Sequence, residues 1–204
     1  MNDRELMSLL DWRRRVAALY AEVRTLRERD PKAAHEIWST GRNRLFAAHP
    51  QSPLHEERRG AFRGLPVADY NPDFAYIAHV DTSSPERAVM GGTEGASFAF
   101  VRAGVIDLPI GRLEVYWLDA YGGGLFLPFR DATGGDTTYG GGRYLLDTVK
   151  GADLGSASDG ALVLDFNFAY HPSCAYSPAW SCPLSPPGNA LDVRVDAGEH
   201  SLPE

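Results

Sequence analysis

The sequence predicts a mainly β protein of the α+β type: an antiparallel β-barrel or sandwich with an N-terminal α-helical hairpin. Three observations carry this. Helical periodicity is confined to residues 3–48, short strand-like runs crowd the remainder, and 21 glycines and 14 prolines supply turns at a density that suits a β-rich chain. At 204 residues the chain suits one domain with a sizeable core. It divides into the hairpin (3–48), a connecting loop (49–72) and a β domain (73–204).

The first helix is written in Leu9, Trp12, Val16, Leu19, Val23 and Leu26, whose alternating spacings of three and four line one helical face. Ser8 with Asp11 resembles a capping box at its start. Arg13, Arg14, Arg15, Arg24, Arg27 and Arg29 fall mostly on the other faces, as a solvated surface does. Asp30-Pro31 reads as the N-cap and first residue of a second helix, with Ala34, Ile37, Trp38, Leu45 and Phe46 as its apolar side. His49-Pro50 ends it, because a residue before proline avoids the α region. The loop that follows is punctuated by Ser52-Pro53, Gly60, Gly64-Leu65-Pro66 and Asn71-Pro72.

Strands are expected at Phe74–Asp81, Ser97–Arg102, Val105–Ile110, Leu113–Asp119, Leu125–Phe129, Arg143–Val149, Leu162–Phe168 and Leu191–Val195. Their short connections favour antiparallel pairing. Leu113, Val115 and Trp117 alternate imperfectly with Glu114, Tyr116 and Leu118, so both faces of that strand should be partly covered.

Charge is uneven. Residues 1–60 carry 12 Lys+Arg against 9 Asp+Glu, and the rest carry 8 against 18. An acidic β part does not attract nucleic acid or an anionic membrane, and no apolar run is long enough to span a bilayer. The charged start Met1-Asn2-Asp3-Arg4-Glu5 is unlike a signal peptide. A cytoplasmic location is expected, with Cys174 and Cys182 reduced. A disulfide between them would close a short loop, worth about 2–3 kcal/mol in the chain-entropy model.

The stretch from Tyr121 to Asn189 is the candidate working surface. Residues 121–143 hold two Gly-rich loops and both Arg130 and Arg143, among only eight basic residues beyond position 60. An arginine fork pairs bidentately with carboxylate or phosphate, and glycine-rich backbone can form an anion-binding concavity. A small anionic or polar ligand is therefore expected, held by Arg130, Asp131, Tyr139, Arg143, Asp165, Asn167 and Tyr176. The competing reading pairs Arg130 and Arg143 with Asp131, Asp136, Asp147 or Asp165 inside the protein. On a strand, Asp165 and Asn167 share one face while Leu164, Phe166 and Phe168 take the other. His171, Cys174 and Cys182 raise thiol or metal chemistry, but His-x2-Cys-x7-Cys matches no standard zinc spacing. Phosphate-loop, nucleophile-elbow and zincin patterns are absent. No catalytic residue, metal site, cofactor or oligomeric state is specified.

Several motifs resemble a prokaryotic family catalogued as domain of unknown function 1684. They are Pro128-Phe129-Arg130-Asp131-Ala132-Thr133, Tyr139-Gly140-Gly141-Gly142-Arg143-Tyr144-Leu145, and Asp165-Phe166-Asn167 with Ala169-Tyr170. The likeness continues through Pro172-Ser173-Cys174-Ala175-Tyr176, Cys182-Pro183 and Ala197-Gly198-Glu199. The Trp12 segment and His49-Pro50-Gln51-Ser52-Pro53-Leu54 also look like the family. The family pattern usually carries Asn where this chain has His171, which argues against a family-wide role for that imidazole. The resemblance implies no particular reaction and supplies no catalytic residues. Three readings stand: a small-ligand pocket in the β domain, a thiol- or metal-dependent enzyme using His171, Cys174 and Cys182, and a noncatalytic interaction domain using the hairpin.

Overall fold

A computed structural model describes residues 3–83 and 86–203. Met1 and Asn2 of the charged N-terminal segment therefore lie outside the described residues. Helices α1 (Asp3–Arg27) and α2 (Pro31–Ala48) form the expected hairpin, followed by a single helical turn, α3 (Glu56–Arg59). Asp30 caps α2 as anticipated, accepting from Ala33 N–H at 2.9 Å. The capping box at Ser8 does not form. The helix starts five residues earlier, and Ser8 Oγ instead donates to Glu5 O at 2.9 Å. Gly41 sets how closely the helices approach, since a Cβ there would lie 2.6 Å from Leu19 Cδ1.

The β part is a five-stranded antiparallel meander with a separate two-stranded sheet. The meander comprises β2 (Glu86–Gly91), β3 (Ser97–Leu108), β4 (Gly111–Leu118), β5 (Leu125–Phe129) and β6 (Arg143–Asp147), in that spatial order. Strand β1 (Ala75–Ala78) pairs antiparallel with β7 (Leu162–Asp165). The meander stays open, with β2 and β6 as its edges, so of the two expected architectures, barrel or sandwich, no closed barrel forms among the described residues. No helix among the described residues is long and apolar enough to cross a membrane.

Both faces of the meander are covered. Tyr20, Val23, Ala34 and Trp38 of the hairpin pack with Phe100, Tyr116, Phe126 and Tyr144 on one side. On the other, Leu113, Val115, Leu127 and Phe129 pack with Leu164, Phe166 and the C-terminal Leu191, Val195 and Ala197. This double coverage explains the blurred alternation of β4: Val115 and Tyr116 are neighbours in sequence, buried in opposite cores. Two residues of the arginine-bearing face of α1 help dock the hairpin. Arg13 Nη1 donates to Val149 O at 2.8 Å and Arg24 Nη1 to Asp153 O at 2.7 Å.

Several strand expectations change, among them Arg143–Val149, which ends at Asp147 before a 3-10 turn over Thr148–Lys150. Ser97–Arg102 and Val105–Ile110 are one strand carrying a bulge between Arg102 and Gly104. Strand β2 was not expected, because Glu-Arg-Ala-Val-Met-Gly mixes charge and apolar residues without clear alternation. Leu191–Val195 is not a strand. It is an irregular tail with bends at Asp192 and Val193, whose neighbour Ala190 makes one parallel bridge to Arg130. Finally, β7 ends at Asp165, where its carboxylate accepts from Asn167 N–H (3.1 Å) and starts a 3-10 turn over Phe166–Phe168. The face assignment of Asp165 and Asn167 based on a continuing strand is thereby replaced.

Candidate functional site

The residues expected to share a polar pocket divide among three places. Arg143 is 1% exposed. Its guanidinium donates to the carbonyls of Ala197, Val195 (2.9 Å) and Glu199 (3.4 Å), meets Asp131 Oδ2 at 3.4 Å, and lies over the Phe129 ring. Asp131 is also buried and accepts from Val195 N–H at 2.6 Å and Thr133 Oγ1 at 2.7 Å. This pair ties the C-terminal tail to β5 and β6. Gly142, at φ 95°, allows the entry into β6, because a Cβ there would lie 2.5 Å from Phe129 O. The internal-pairing alternative thus describes Arg143. Arg130 is exposed and contributes its backbone, donating to Asn189 O (2.9 Å) and accepting from Leu191 N–H (2.8 Å).

Asp165 and Asn167 form a second fastening. Asn167 Nδ2 donates to Asp165 Oδ1 (2.7 Å) and Asn71 O (2.8 Å), and its Oδ1 accepts from Asn71 N–H (2.8 Å). Tyr70 Oη donates to Asp165 Oδ2 at 3.3 Å. Burial pushes the Asp165 carboxyl up, opposed by the donors from Asn167 and the nearby Arg27. These residues hold the connecting loop against β7.

The third place contains Tyr139, Tyr176, His171 and the two thiols. His171 is 2% exposed, and its Nε2 accepts from Tyr139 N–H at 3.1 Å. Burial drives its pKa down to about 4, with Arg143, Arg42 and His200 acting in the same direction and Glu199 against them. A neutral imidazole used as a backbone acceptor is poorly placed to serve Cys174 as a base. No group of three or more His, Cys, Asp or Glu residues among the described residues is arranged to hold a metal ion.

Tyr176 leads to a feature the sequence did not disclose. Its hydroxyl donates to Glu199 Oε1 at 2.6 Å, and Glu199 is fully buried. Glu199 Oε2 accepts from His171 N–H (2.8 Å) and from Arg42 Nη2 (2.8 Å). Arg42 belongs to α2, and its guanidinium lies over the rings of Trp38, Phe46 and Tyr170 at 4.8–5.4 Å from their centroids. Its side chain is 11% exposed, and Glu199 raises its pKa against the cost of burial. Glu199 engages Nη2 alone, and Nε is buried without a partner.

Arg42 lines a cleft of about 70 Å³ between the hairpin and β6, walled also by Tyr20, Tyr144, Lys150, Tyr170 and Ser173. Burial raises the pKa of all three tyrosines, so their hydroxyls stay neutral. Tyr144 Oη is taken by Pro183 O at 2.6 Å. Lys150, half exposed, pairs with Asp147 at 3.3 Å. Larger surface clefts exist, one of about 430 Å³ beside Glu57 and Arg58 and one of about 510 Å³ beside Glu22 and Arg44. Those charged side chains are exposed, and neither cleft is lined by a buried charge. The smaller cleft is therefore the stronger candidate. Its essential pair, Arg42 and Glu199, is 157 residues apart, so no local pattern could announce it. The tail motif Ala197-Gly198-Glu199 was the only hint.

A solved structure of similar fold is the solution NMR structure of the uncharacterized protein from gene locus rrnAC0354 of Haloarcula marismortui. It is 35% identical, with a TM-score of 0.54, and the match covers 79% of this chain and 89% of that one. No curated protein matches. A family model matches residues 60–200, which include the Arg143 fastening, the Asp165 turn, both thiols and Glu199, and on this match the chain belongs to the family described as protein of unknown function DUF1684.

Proposed function

We propose that this protein binds a small oxyanion or carboxylate in the cleft between the hairpin and β6. Arg42 and Lys150 face the charge, and Tyr20, Tyr144 and Tyr170 pack around it. The observation that carries this reading is Arg42, a nearly buried guanidinium that gives one nitrogen to Glu199 while lining an open cleft. Buried polar groups in folded proteins find partners, and a guanidinium fork suits oxyanions. A ligand oxygen would complete the set. The space is small, about 70 Å³, which favours a compact anion such as phosphate, sulfate or a short carboxylate.

This reading keeps the anionic ligand expected from the sequence and moves it from the Arg130 and Arg143 loops to the hairpin junction. No nucleic acid or membrane partner belongs to it. We place the protein in the cytoplasm, in keeping with its two free cysteines.

Thermal denaturation with phosphate, sulfate, acetate and lactate, each against sodium chloride at equal ionic strength, tests it. At least one anion should give saturable stabilisation, approaching about 2.7 kcal/mol at a hundredfold excess over Kd. Lys150→Ala should weaken that response, because Lys150 is half exposed and not part of the core. No anion-specific stabilisation of the wild type, or an undiminished response in Lys150→Ala, would sink the proposal.

A further inference from the structure

The cleft beside Arg42 is walled by groups whose protons can be followed one at a time. Tyr20 of α1 is buried, and its hydroxyl oxygen accepts from Trp38 Nε1–H at 3.0 Å. Its own proton goes to no acceptor among the described residues. His171 also lines the cleft, and its Nε2 accepts from Tyr139 N–H at 3.1 Å. An imidazole nitrogen that accepts carries no proton, so in the neutral ring the proton sits on Nδ1. Nδ1 has no partner among the described residues either. Arg42 of α2 gives Nη2 to both oxygens of Glu199, at 2.8 and 3.2 Å, and its Nη1 has no acceptor among the described residues. Lys150, just after β6, pairs with Asp147 and keeps further N–H donors.

Strong acceptors are missing from the same walls. The carboxylates bonded to cleft residues are Glu199 and Asp147, and neither lines the cleft. Glu199 already takes Arg42, Tyr176 Oη–H and His171 N–H. Asp147 takes the Lys150 ammonium and Lys150 N–H. Among the lining side chains, the oxygens left to accept are the hydroxyls of Tyr144, Tyr170 and Ser173. A neutral hydroxyl accepts less strongly than a carboxylate. The cleft is therefore rich in spare donors and poor in acceptors.

We propose that the cleft selects a proton-free oxyanion of the sulfate type over hydrogen phosphate, with Tyr20 Oη–H and His171 Nδ1–H donating to its oxygens beside Arg42 and Lys150. This selectivity rests on the anion site proposed above and adds two donors to it. Near neutral pH inorganic phosphate keeps at least one P–O–H, a donor that needs an acceptor, whereas sulfate keeps none. Arg42 and Lys150 alone would attract either anion. The discrimination comes from the lack of a lining carboxylate to receive the P–O–H proton, and an ill-matched donor of this kind costs about tenfold in affinity. His171 stays a neutral donor across the range used below, because burial holds its pKa at about 4, with Arg143, Arg42 and His200 acting alike and Glu199 opposing.

Calorimetric titration of the full-length protein with sodium sulfate and sodium phosphate, at equal ionic strength and at pH 6 and pH 8, measures the preference. Sulfate should bind about tenfold more tightly than phosphate at pH 6. Phosphate should gain on sulfate at pH 8, where it has shed one of its two protons, and sulfate itself controls for titration of the protein. Tyr20→Phe keeps the ring, removes the donor and should weaken sulfate about tenfold. Tyr144→Phe should weaken it less, because the Tyr144 proton is already spent on Pro183 O. Phosphate binding as tightly as sulfate, acetate or lactate binding without sulfate, or unchanged sulfate affinity in folded Tyr20→Phe overturns the selectivity and leaves the anion site standing. Binding of none of the four anions overturns both. The wild-type ratio decides the matter even if a variant fails to fold.

Discussion

Arg143 is buried, Arg42 nearly so, and both face a carboxylate, yet their surroundings differ. Arg143 meets three backbone carbonyls, Asp131 and the Phe129 ring, in a place where the C-terminal tail closes over β5 and β6. Nothing there opens to a ligand. Arg42 is stacked among three aromatic rings, gives Nη2 to Glu199, and borders a cleft. Nε is buried without a partner in both guanidiniums, so what separates them is the cleft that Arg42 borders.

The largest effect should come from the architectural side. Arg143→Ala leaves Asp131 and three carbonyls buried without their cation, and breaking a buried pair in this way costs about 3–5 kcal/mol. Urea denaturation should show that loss, and an anion that stabilises wild type should restore it no more than it stabilises any folded variant. A cost near zero would erase the contrast with Arg42.

Acid comes next. Burial holds His171 at a pKa of about 4, below its ordinary 6.5. The folded state therefore binds fewer protons than the unfolded chain between these values. The stability contributed by neutral His171 is complete above pH 6.5 and is lost as pH falls toward 4, about 3 kcal/mol in all. His171→Asn can keep an acceptor for Tyr139 N–H without a proton to gain. It should flatten the fall in Tm between pH 6.5 and 4, and an unchanged slope would contradict the buried neutral imidazole.

Asn167→Ala removes the link between Asp165 and the Asn71 backbone, leaving buried groups unpaired at a cost of about 1–3 kcal/mol. Chemical denaturation should register the loss while anion binding, measured by calorimetry, persists. Loss of binding with unchanged stability would move the ligand back toward the residues first suspected. The smallest effect on stability is expected for Lys150→Ala, within about 0.5 kcal/mol because its pair is half exposed. That variant sharpens the comparison, since it should lose anion response while retaining Tm in plain buffer.

Local chemistry was legible where it was decided locally. The stripe Trp12, Val16, Leu19, Val23 announced α1, the Asp30-Pro31 pair announced the start of α2, and Leu125–Phe129 was bounded correctly by its flanking turns. Asp165 and Asn167 were recognised as unusual polar residues in an apolar run, yet the strand on which they were placed does not continue past Asp165. A strand that bends into a 3-10 turn after one residue gives no periodic sign of doing so, and the cap on Asn167 N–H is visible only in coordinates. Likewise Arg143 was conspicuous as a rare cation, but rarity does not distinguish a ligand-binding arginine from one that fastens a tail.

By itself, then, the sequence determined the helical hairpin, the antiparallel β part and the reach of the family motifs. Those follow from spacing, turn chemistry and short-range geometry. Only the tertiary structure decided that Glu199 returns to Arg42 and that Arg143 is sealed by the tail. Each of these depends on which distant segments share a buried, low-dielectric space, where a charge must find a partner, and that choice is made by the packing of the whole chain.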